Sequence, residues 1–213
     1  MHQPAQIARQ VILRGISWQT YERLLSEHGE NTGTRFVYHR GMLEIMIVSL
    51  KHEKLKDILV DLFTILADAR EVDYMKAGST TFKREDLTTG FEPDACFYIT
   101  HAAYMRHKDQ VNLNVDPPPD LVIEIDITHE SLSRFPLFAA VGVPEIWRYD
   151  GSKASVHVLD KDSDAYHGLA QSAALPGVTG DVLTRLTEAA LTEKRHEWLK
   201  RVHAWMRGNS CQT

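Results

Sequence analysis

Apolar residues recur with helical spacing in three stretches of the chain, and this spacing predicts a helix in each. The first helix begins after Ser17, a favourable N-cap residue, and carries Trp18 on its apolar face. The second runs over residues 50–69, and the third carries Trp198 and Trp205 on one face. We expect these apolar stripes to pack within the domain or, for the two tryptophans, across a dimer.

Shorter apolar runs bounded by turn residues predict strands between these helices. They lie at residues 35–38, 42–48, 95–99, 121–127, 145–149 and 154–159. His39-Arg40-Gly41 separates the first two runs and indicates a hairpin, whereas residues 133–141 read as a helix between two strands. This order of elements favours a single α/β domain with a mixed central β-sheet flanked by helices.

The length and composition fit one globular domain over residues 1–213, with an N-terminal segment at 1–16 and a flexible tail at 208–213. No run is long and apolar enough to predict a membrane span, so we expect a cytoplasmic protein without membrane association. Cys96 reads as a small core residue and Cys211 lies in the tail, which gives no disulfide framework. No glycine-rich phosphate loop is present, so we expect no organic cofactor.

The net charge of −5 gives no support to a protein that binds nucleic acid through a generally basic surface. Any such surface has to be local. An acidic site that collects metal ions would account for part of the negative excess.

Three acidic residues lie in or beside apolar strands. Asp94 precedes the run at 95–99, and Glu124 and Asp126 are two residues apart within 121–127. Residues two apart in a strand share a face, and two buried carboxylates on one face need compensation. A divalent cation such as Mg²⁺ supplies it, because Mg²⁺ prefers hard oxygen ligands. The alternatives are that the strand is half exposed, or that Glu124 and Asp126 pair with nearby Arg or Lys.

Several segments in a fixed order resemble one bacterial family. They are Glu92-Pro93-Asp94, residues 119–126, residues 142–147, residues 41–46, His52-Glu53 and residues 79–83. The series resembles the Uma-type restriction endonuclease family of the PD-(D/E)XK nuclease superfamily, from about Trp18 to the final helices. The resemblance implies a restriction-endonuclease-like core.

The same resemblance implies that Asp94 and Glu124 hold Mg²⁺, with Mn²⁺ as a substitute, and that Asp126 is a further ligand or an orienting partner. The superfamily's lysine two residues after Glu124 is absent, because Asp126 stands there. In this family the basic residue lies on the following helix, which corresponds to Arg134 in this chain. Arg134 would stabilise charge but cannot act as a base; the alternative is a surface residue in the first turn of a helix.

Three further residues are candidates for the same site. The resemblance implies that Glu44 lies near the metal. His52, near the start of the long helix, is a candidate catalytic residue, although a hydrogen-bonded structural histidine is the more common situation. Lys83 is a candidate for contacting a phosphate, and a solvated hairpin is its ordinary alternative.

We therefore expect a Mg²⁺-dependent endonuclease that hydrolyses DNA, acting as a homodimer because two sites are needed to cut two strands. Two alternatives stay open. One is an inactive nuclease fold that serves as a nucleic-acid-binding or scaffold module, favoured by the absent lysine and the acidic charge. The other is a metal-dependent phosphodiesterase that acts on RNA or nucleotides.

Overall fold

The computed structural model describes residues 9–28, 33–127 and 133–209. Its strands are β1 (Arg9–Arg14), β2 (Thr34–His39), β3 (Met42–Ile47), β4 (Met75–Lys76), β5 (Phe82–Arg84), β6 (Thr89–Phe91), β7 (Ala95–Tyr98), β8 (Leu121–Ile125), β9 (Glu145–Tyr149), β10 (Ala154–Asp160) and β11 (Ala165–Leu169). Its helices are α1 (Trp18–His28), α2 (Leu50–Asp68), α3 (Ala102–Met105), α4 (Phe135–Val141), α5 (Gly180–Thr192) and α6 (Arg195–Asn209).

The strands form two sheets, where the sequence pattern predicted one central sheet. The first sheet has the order β1-β3-β2-β6-β5 and all of its pairings are antiparallel. Its β2–β3 hairpin, predicted from the sequence, turns at Arg40 and Gly41, which both have positive φ angles of 46° and 83°. Two successive positive φ angles are typical of the tight hairpin turn whose twist matches the strands.

The second sheet is mixed, with the order β11-β10-β9-β8-β7-β4. Strands β8 and β9 pair in parallel, and α4 forms the crossover between them. The other pairings in this sheet are antiparallel. The prediction of a mixed sheet with helices is confirmed for this second sheet.

Two apolar cores enclose the second sheet. On one face it packs against α2, α5 and α6, through residues such as Phe63, Phe97, Ile123, Trp147, Leu183 and Trp198. On the other face it packs against α4 and the first sheet, through residues such as Val37, Phe91, Cys96, Val122, Phe138 and Ile146. A smaller core places α1 on the outer face of the first sheet. A continuous set of buried apolar residues therefore lies between the two sheets.

Several boundaries differ from the prediction. The segment at 1–16 contains β1, which forms the edge of the first sheet beside β3, and β11 was not predicted at all. Helix α6 continues to Asn209, so part of the expected tail at 208–213 is helical. Residues 210–213, including Cys211, lie outside the described residues, as do 128–132 at the end of the expected strand 121–127. Within the described ranges, no helix has the length and apolar character needed to cross a membrane.

Candidate active site

A short link between the two sheets brings Asp94 beside Glu124. Strand β6 belongs to the first sheet and β7 to the second, and Glu92, Pro93 and Asp94 connect them. Strand β7 pairs antiparallel with β8 in the register Ala95↔Ile123, and the next position along this register sets Asp94 opposite Glu124. Opposite residues in a strand pair point to the same face, so the two carboxylates become neighbours.

Successive side chains of β8 point to opposite faces of the sheet, and Glu124 points into the space between the two sheets. Leu121, Ile123 and Ile125 pack in the helical core, whereas Val122 packs in the core that faces the first sheet. Glu124 shares the face of Val122 and is buried, with 5% of its surface exposed. Ile123 and Ile125 therefore lie on the face opposite Glu124.

Hydrogen bonds fix the two carboxylates relative to the backbone. The Ile125 N–H donates to Asp94 Oδ2 at 2.8 Å, and the Asp94 N–H donates to Glu124 Oε1 at 3.3 Å. The other oxygen of Asp94, Oδ1, is buried and has no hydrogen-bond partner among residues 9–28, 33–127 and 133–209. One carboxylate oxygen is therefore directed into the site without a donor.

Arg134 reaches this pair from the crossover between β8 and β9. It occupies the N-cap position of α4, and Pro136, which tolerates the first turn of a helix, helps to start α4 there. The Arg134 Nη1 donates to Glu124 Oε2 at 2.7 Å, and only 9% of the Arg134 side chain is exposed. The alternative of a solvated surface arginine is therefore wrong.

His52 enters the site from the start of α2. Ser49 caps this helix, and its hydroxyl accepts a hydrogen bond from the His52 N–H. The first turn of α2 lies beside the link at residues 92–94, which contains Asp94. The buried His52 ring places Nε2 3.1 Å from Asp94 Oδ2. His52 therefore contacts a proposed metal-binding residue and does not merely fill the core.

Glu44 completes the cluster from the first sheet. It lies on β3 opposite Val37, so it shares the face of β2 and β3 that packs against the second sheet. Its side chain is fully buried, and its charge acts on Arg134. The fold thus gathers Glu44, His52, Asp94, Glu124 and Arg134, five of the residues predicted from the sequence.

Burial and mutual charge shift the pKa values of His52, Asp94, Glu124 and Arg134. Burial raises the pKa of Glu124 to about 8, while the guanidinium of Arg134 acts in the opposite direction. Burial acts to raise the pKa of Asp94, but the adjacent His52 outweighs this effect and lowers the pKa. The Asp94 carboxylate likewise raises the pKa of His52 against the effect of burial, and the surrounding carboxylates raise that of Arg134.

Comparison with known proteins shows the family and the fold of this chain. The sequence profile of the Uma2 family, described as "Putative restriction endonuclease", matches residues 18–190. The chain belongs to the Uma2 family. A crystal structure from Anabaena variabilis ATCC 29413, described as a "putative nuclease belonging to DUF820", superposes with a TM-score of 0.56 at 12% sequence identity and covers 80% of this chain and 98% of that chain. Its likeness confirms the restriction-endonuclease-like fold. A comparison with curated proteins finds no match.

The donor set of this Uma2-family site fits Mg²⁺ through two carboxylates. Mg²⁺ is commonly held in proteins by one or two carboxylates, with water and substrate phosphate completing its coordination. The unpartnered Asp94 Oδ1 and the Glu124 carboxylate supply hard oxygen atoms of that kind. Among residues 9–28, 33–127 and 133–209, no group of three or more His, Cys, Asp or Glu side chains is arranged to hold a metal ion.

Two predicted site residues have other partners. Asp126 forms an ion pair with Arg148 on β9 at 2.6 Å, and about a third of each side chain is exposed. Asp94, Glu124 and Asp126 therefore do not form a three-carboxylate metal site in this structure, and a role for Asp126 as a ligand stays a prediction. Lys83 lies on β5, is half exposed and contacts Glu22 at 3.4 Å, so its contact with a phosphate also stays a prediction.

The sequence interpretation missed Arg148. The available signal was a charged residue inside the strand-forming run 145–149, between Trp147 and Tyr149. That signal gains meaning only with the parallel register of β8 and β9, which sets Arg148 beside Glu124.

Proposed function

We propose that this Uma2-family protein is a metal-dependent nuclease that hydrolyses phosphodiester bonds in DNA. One observation carries the proposal: a buried carboxylate pair, Asp94 and Glu124, has an unpartnered oxygen and a permanently charged arginine beside it. Burying carboxylates without a bound ligand costs free energy. A metal cation would compensate the charge of the carboxylates, and an anionic phosphate would compensate the charge of the arginine.

Asp94 and Glu124 would hold Mg²⁺, or Mn²⁺ in its place. The metal would supply Lewis-acid chemistry to the phosphate and favour ionisation of water at neutral pH. His52 would hold Asp94 in position through the contact at its Oδ2, which leaves Oδ1 directed into the site. This makes His52 a positioning residue.

Arg134 would stabilise the negative charge that develops on the phosphate. A guanidinium stays protonated in proteins, so Arg134 cannot abstract a proton, but it presents five N–H donors in a fixed geometry. One of these donors is used by Glu124. The others would bind phosphate oxygens as charge builds up on them.

The proposal includes a homodimer, because two copies of the site are needed to cut both strands of a duplex. It also places the protein in the cytoplasm. Sedimentation of the purified chain with and without duplex DNA would measure this state. A chain that stays monomeric in both conditions would restrict the proposed reaction to nicking.

Nicking of supercoiled plasmid in Mg²⁺ or Mn²⁺ tests the proposed reaction. Wild type should nick only with metal, and Asp94→Asn or Glu124→Gln should each lower the rate by about 100-fold or more, because each removes a ligand charge while keeping the side-chain shape. Asp162→Asn, in an exposed turn, is the matched control and should nick as wild type does.

The same experiment separates the alternatives. Nicking that survives both substitutions would exclude this site as its source. A well-folded protein that cleaves neither plasmid nor single-stranded RNA with either metal would favour an inactive binding module. Cleavage of RNA but not of plasmid would support the proposed site and show that its substrate is RNA and not DNA.

A further inference from the structure

A row of polar side chains crosses the second sheet beside the proposed metal site. The parallel register pairs Glu124 on β8 with Arg148 on β9, and the antiparallel register pairs Arg148 with Ser155 on β10. Asp94 lies opposite Glu124 on the other side. Asp94, Glu124, Arg148 and Ser155 thus follow one line across four neighbouring positions of the sheet, about 4.8 Å apart from one strand to the next.

All four side chains point to the same face. Ile146 on β9 packs in the core between the sheets, and Arg148, two residues later, shares its face. On β10, Ala154 and Val156 pack in the helical core, so Ser155 between them points to the opposite face. The row therefore continues outward from the buried carboxylates to a more exposed cation and hydroxyl.

Among the residues that the structure describes, Arg148 uses one of its side-chain nitrogens in a hydrogen bond. Its Nη2 donates to Asp126 Oδ2 at 2.6 Å, and this pair is about a third exposed on both sides. Exposed ion pairs contribute little net stability, and a guanidinium carries five N–H donors. Asp126 thus orients Arg148 while leaving most of its donors for a ligand.

On β10, His157 holds the hydroxyl group of Ser155 beside Arg148. The Ser155 Oγ is 2.9 Å from His157 Nε2 and 3.4 Å from the Arg148 carbonyl oxygen, and the ring of His157 packs against Phe135 in α4. These contacts fix the hydroxyl at the end of the row, one strand beyond Arg148. A cation with an adjacent hydroxyl is a common arrangement for binding a phosphate.

We propose that Arg148 and Ser155 bind the phosphate next to the one that is cleaved, so that the substrate is a nucleic-acid strand and not a single nucleotide. This inference rests on the proposed function, since Asp94 and Glu124 define the position of the cleaved phosphate. Arg148 is one strand spacing of about 4.8 Å from Glu124, and its long side chain extends the reach of the guanidinium beyond that spacing. The neighbouring phosphate therefore falls within reach of the Arg148 guanidinium.

Binding of a fluorescein-labelled single-stranded oligodeoxynucleotide, followed by anisotropy over a salt series in EDTA, tests this position without any cleavage. Arg148→Gln should weaken binding by about tenfold at low salt and reduce the slope of log affinity against log salt by about 0.7 to 1, because one phosphate contact is lost. Arg148→Lys keeps the charge and should retain the slope. Asp126→Asn keeps an oxygen acceptor for Arg148 but removes a nearby anion, so it should tighten binding.

Arg23→Gln is the matched control, because Arg23 also pairs with one carboxylate, Glu27, but lies on the distant helix α1. It should change neither affinity nor slope. Unchanged binding by folded Arg148→Gln, or weaker binding with an unchanged slope, would overturn the assignment. If wild type binds as expected but nicks no plasmid, the proposed reaction fails while the phosphate position stands.

Discussion

At the scale of single residues, the guanidinium of Arg134 compensates the charge of the buried carboxylates. It lies 2.7 Å from Glu124, and its charge also acts on Asp94 and Glu44. Any metal bound by Asp94 and Glu124 would have to approach this fixed positive charge. Arg134 is therefore expected to set the metal affinity of the free protein.

Replacing Arg134 by Gln should have opposite effects on stability and on metal binding. Breaking a buried ion pair costs about 3–5 kcal/mol of unfolding free energy in the absence of metal, so the variant should unfold at a lower temperature. Removing the positive charge should strengthen Mn²⁺ binding by about tenfold or more, as measured by the electron paramagnetic resonance of free Mn²⁺.

Arg23→Gln, on exposed α1, is the control for both measurements and should leave each near the wild-type value. Weaker Mn²⁺ binding by Arg134→Gln, in a preparation that is still folded, would show that Arg134 supports the metal site and does not compete with the cation.

A second residue, Asp116, gives a pH dependence away from the active site. The Asn112 N–H donates to Asp116 Oδ2 at 2.9 Å, Lys108 pairs with Oδ1 at 2.9 Å, and the Tyr104 hydroxyl donates to Oδ1 at 2.8 Å. These donors, the backbone N–H first, lower the pKa of Asp116 from 3.8 to about 2. A lowered pKa means that the carboxylate stabilises the fold above pH 3.8 and loses this effect as the pH falls towards about 2.

Asp116→Asn should therefore lower the melting temperature at neutral pH, and the difference from wild type should narrow as the pH falls from about 4 to 2. Thermal unfolding followed by circular dichroism across this range would measure it. Asp109→Asn, exposed in the same segment, should show no such trend. A difference that stays constant with pH would mean that Asp116 acts through packing and not through its charge.

At the scale of elements, α1 packs closely on the first sheet at Gly90. The Tyr21 ring stacks on Tyr38 with centroids 4.9 Å apart, and a Cβ atom added at Gly90 on β6 would lie 2.2 Å from the Tyr21 hydroxyl and 2.6 Å from ring carbons. No side chain fits there without moving the helix or the ring. The absence of a Cβ at this position of β6 therefore allows α1 to seat on the sheet.

Gly90→Ala should destabilise the fold by about 1–3 kcal/mol, because the added methyl group overpacks a buried contact. Chemical denaturation with fluorescence detection would measure the change. Gly168→Ala is the matched control, since Gly168 also lies in a strand, β11, and a Cβ there meets nothing within 4 Å. Equal stability of the two variants would contradict the close packing of Tyr21.

The sequence predicted local features of this architecture well. Alternation in 121–127 placed Glu124 opposite the isoleucines, and the apolar stripe of 50–69 gave α2 nearly to its observed end at Asp68. These features depend on neighbouring residues, whose spacing is visible in the chain. Likewise, Trp198 packs inside the domain, where its indole N–H donates to the Leu186 carbonyl at 2.8 Å.

Features that depend on pairing between distant segments were not predictable. The partner of Asp126 is Arg148, which requires the parallel register of β8 and β9. The edge strand β1 pairs with β3, and its short apolar run Val11-Ile12-Leu13 gave no indication of that partner. The family resemblance, and not the residue pattern, singled out Glu44 and Arg134 as members of the site.

At the scale of the whole molecule, the charged cluster lies between two sheets that are joined by the short link at 92–94. One sheet contributes Glu44 and the other contributes Glu124, while α2 and α4 contribute His52 and Arg134. The site therefore exists only when both sheets and both helices are assembled. Movement of one sheet relative to the other would separate Glu44, on the first sheet, from Arg134, which lies at the crossover of the second.

This arrangement also constrains the order in which parts of the chain fold during synthesis. Glu44 and Asp94 leave the ribosome well before Arg134, whose cation compensates them in the closed structure. Closing the sheets earlier would desolvate carboxylates with no arginine beside them, which is strongly unfavourable. The nascent chain should therefore keep this cleft hydrated until the crossover helix has emerged, and the closure of the two layers is a late step of its biogenesis.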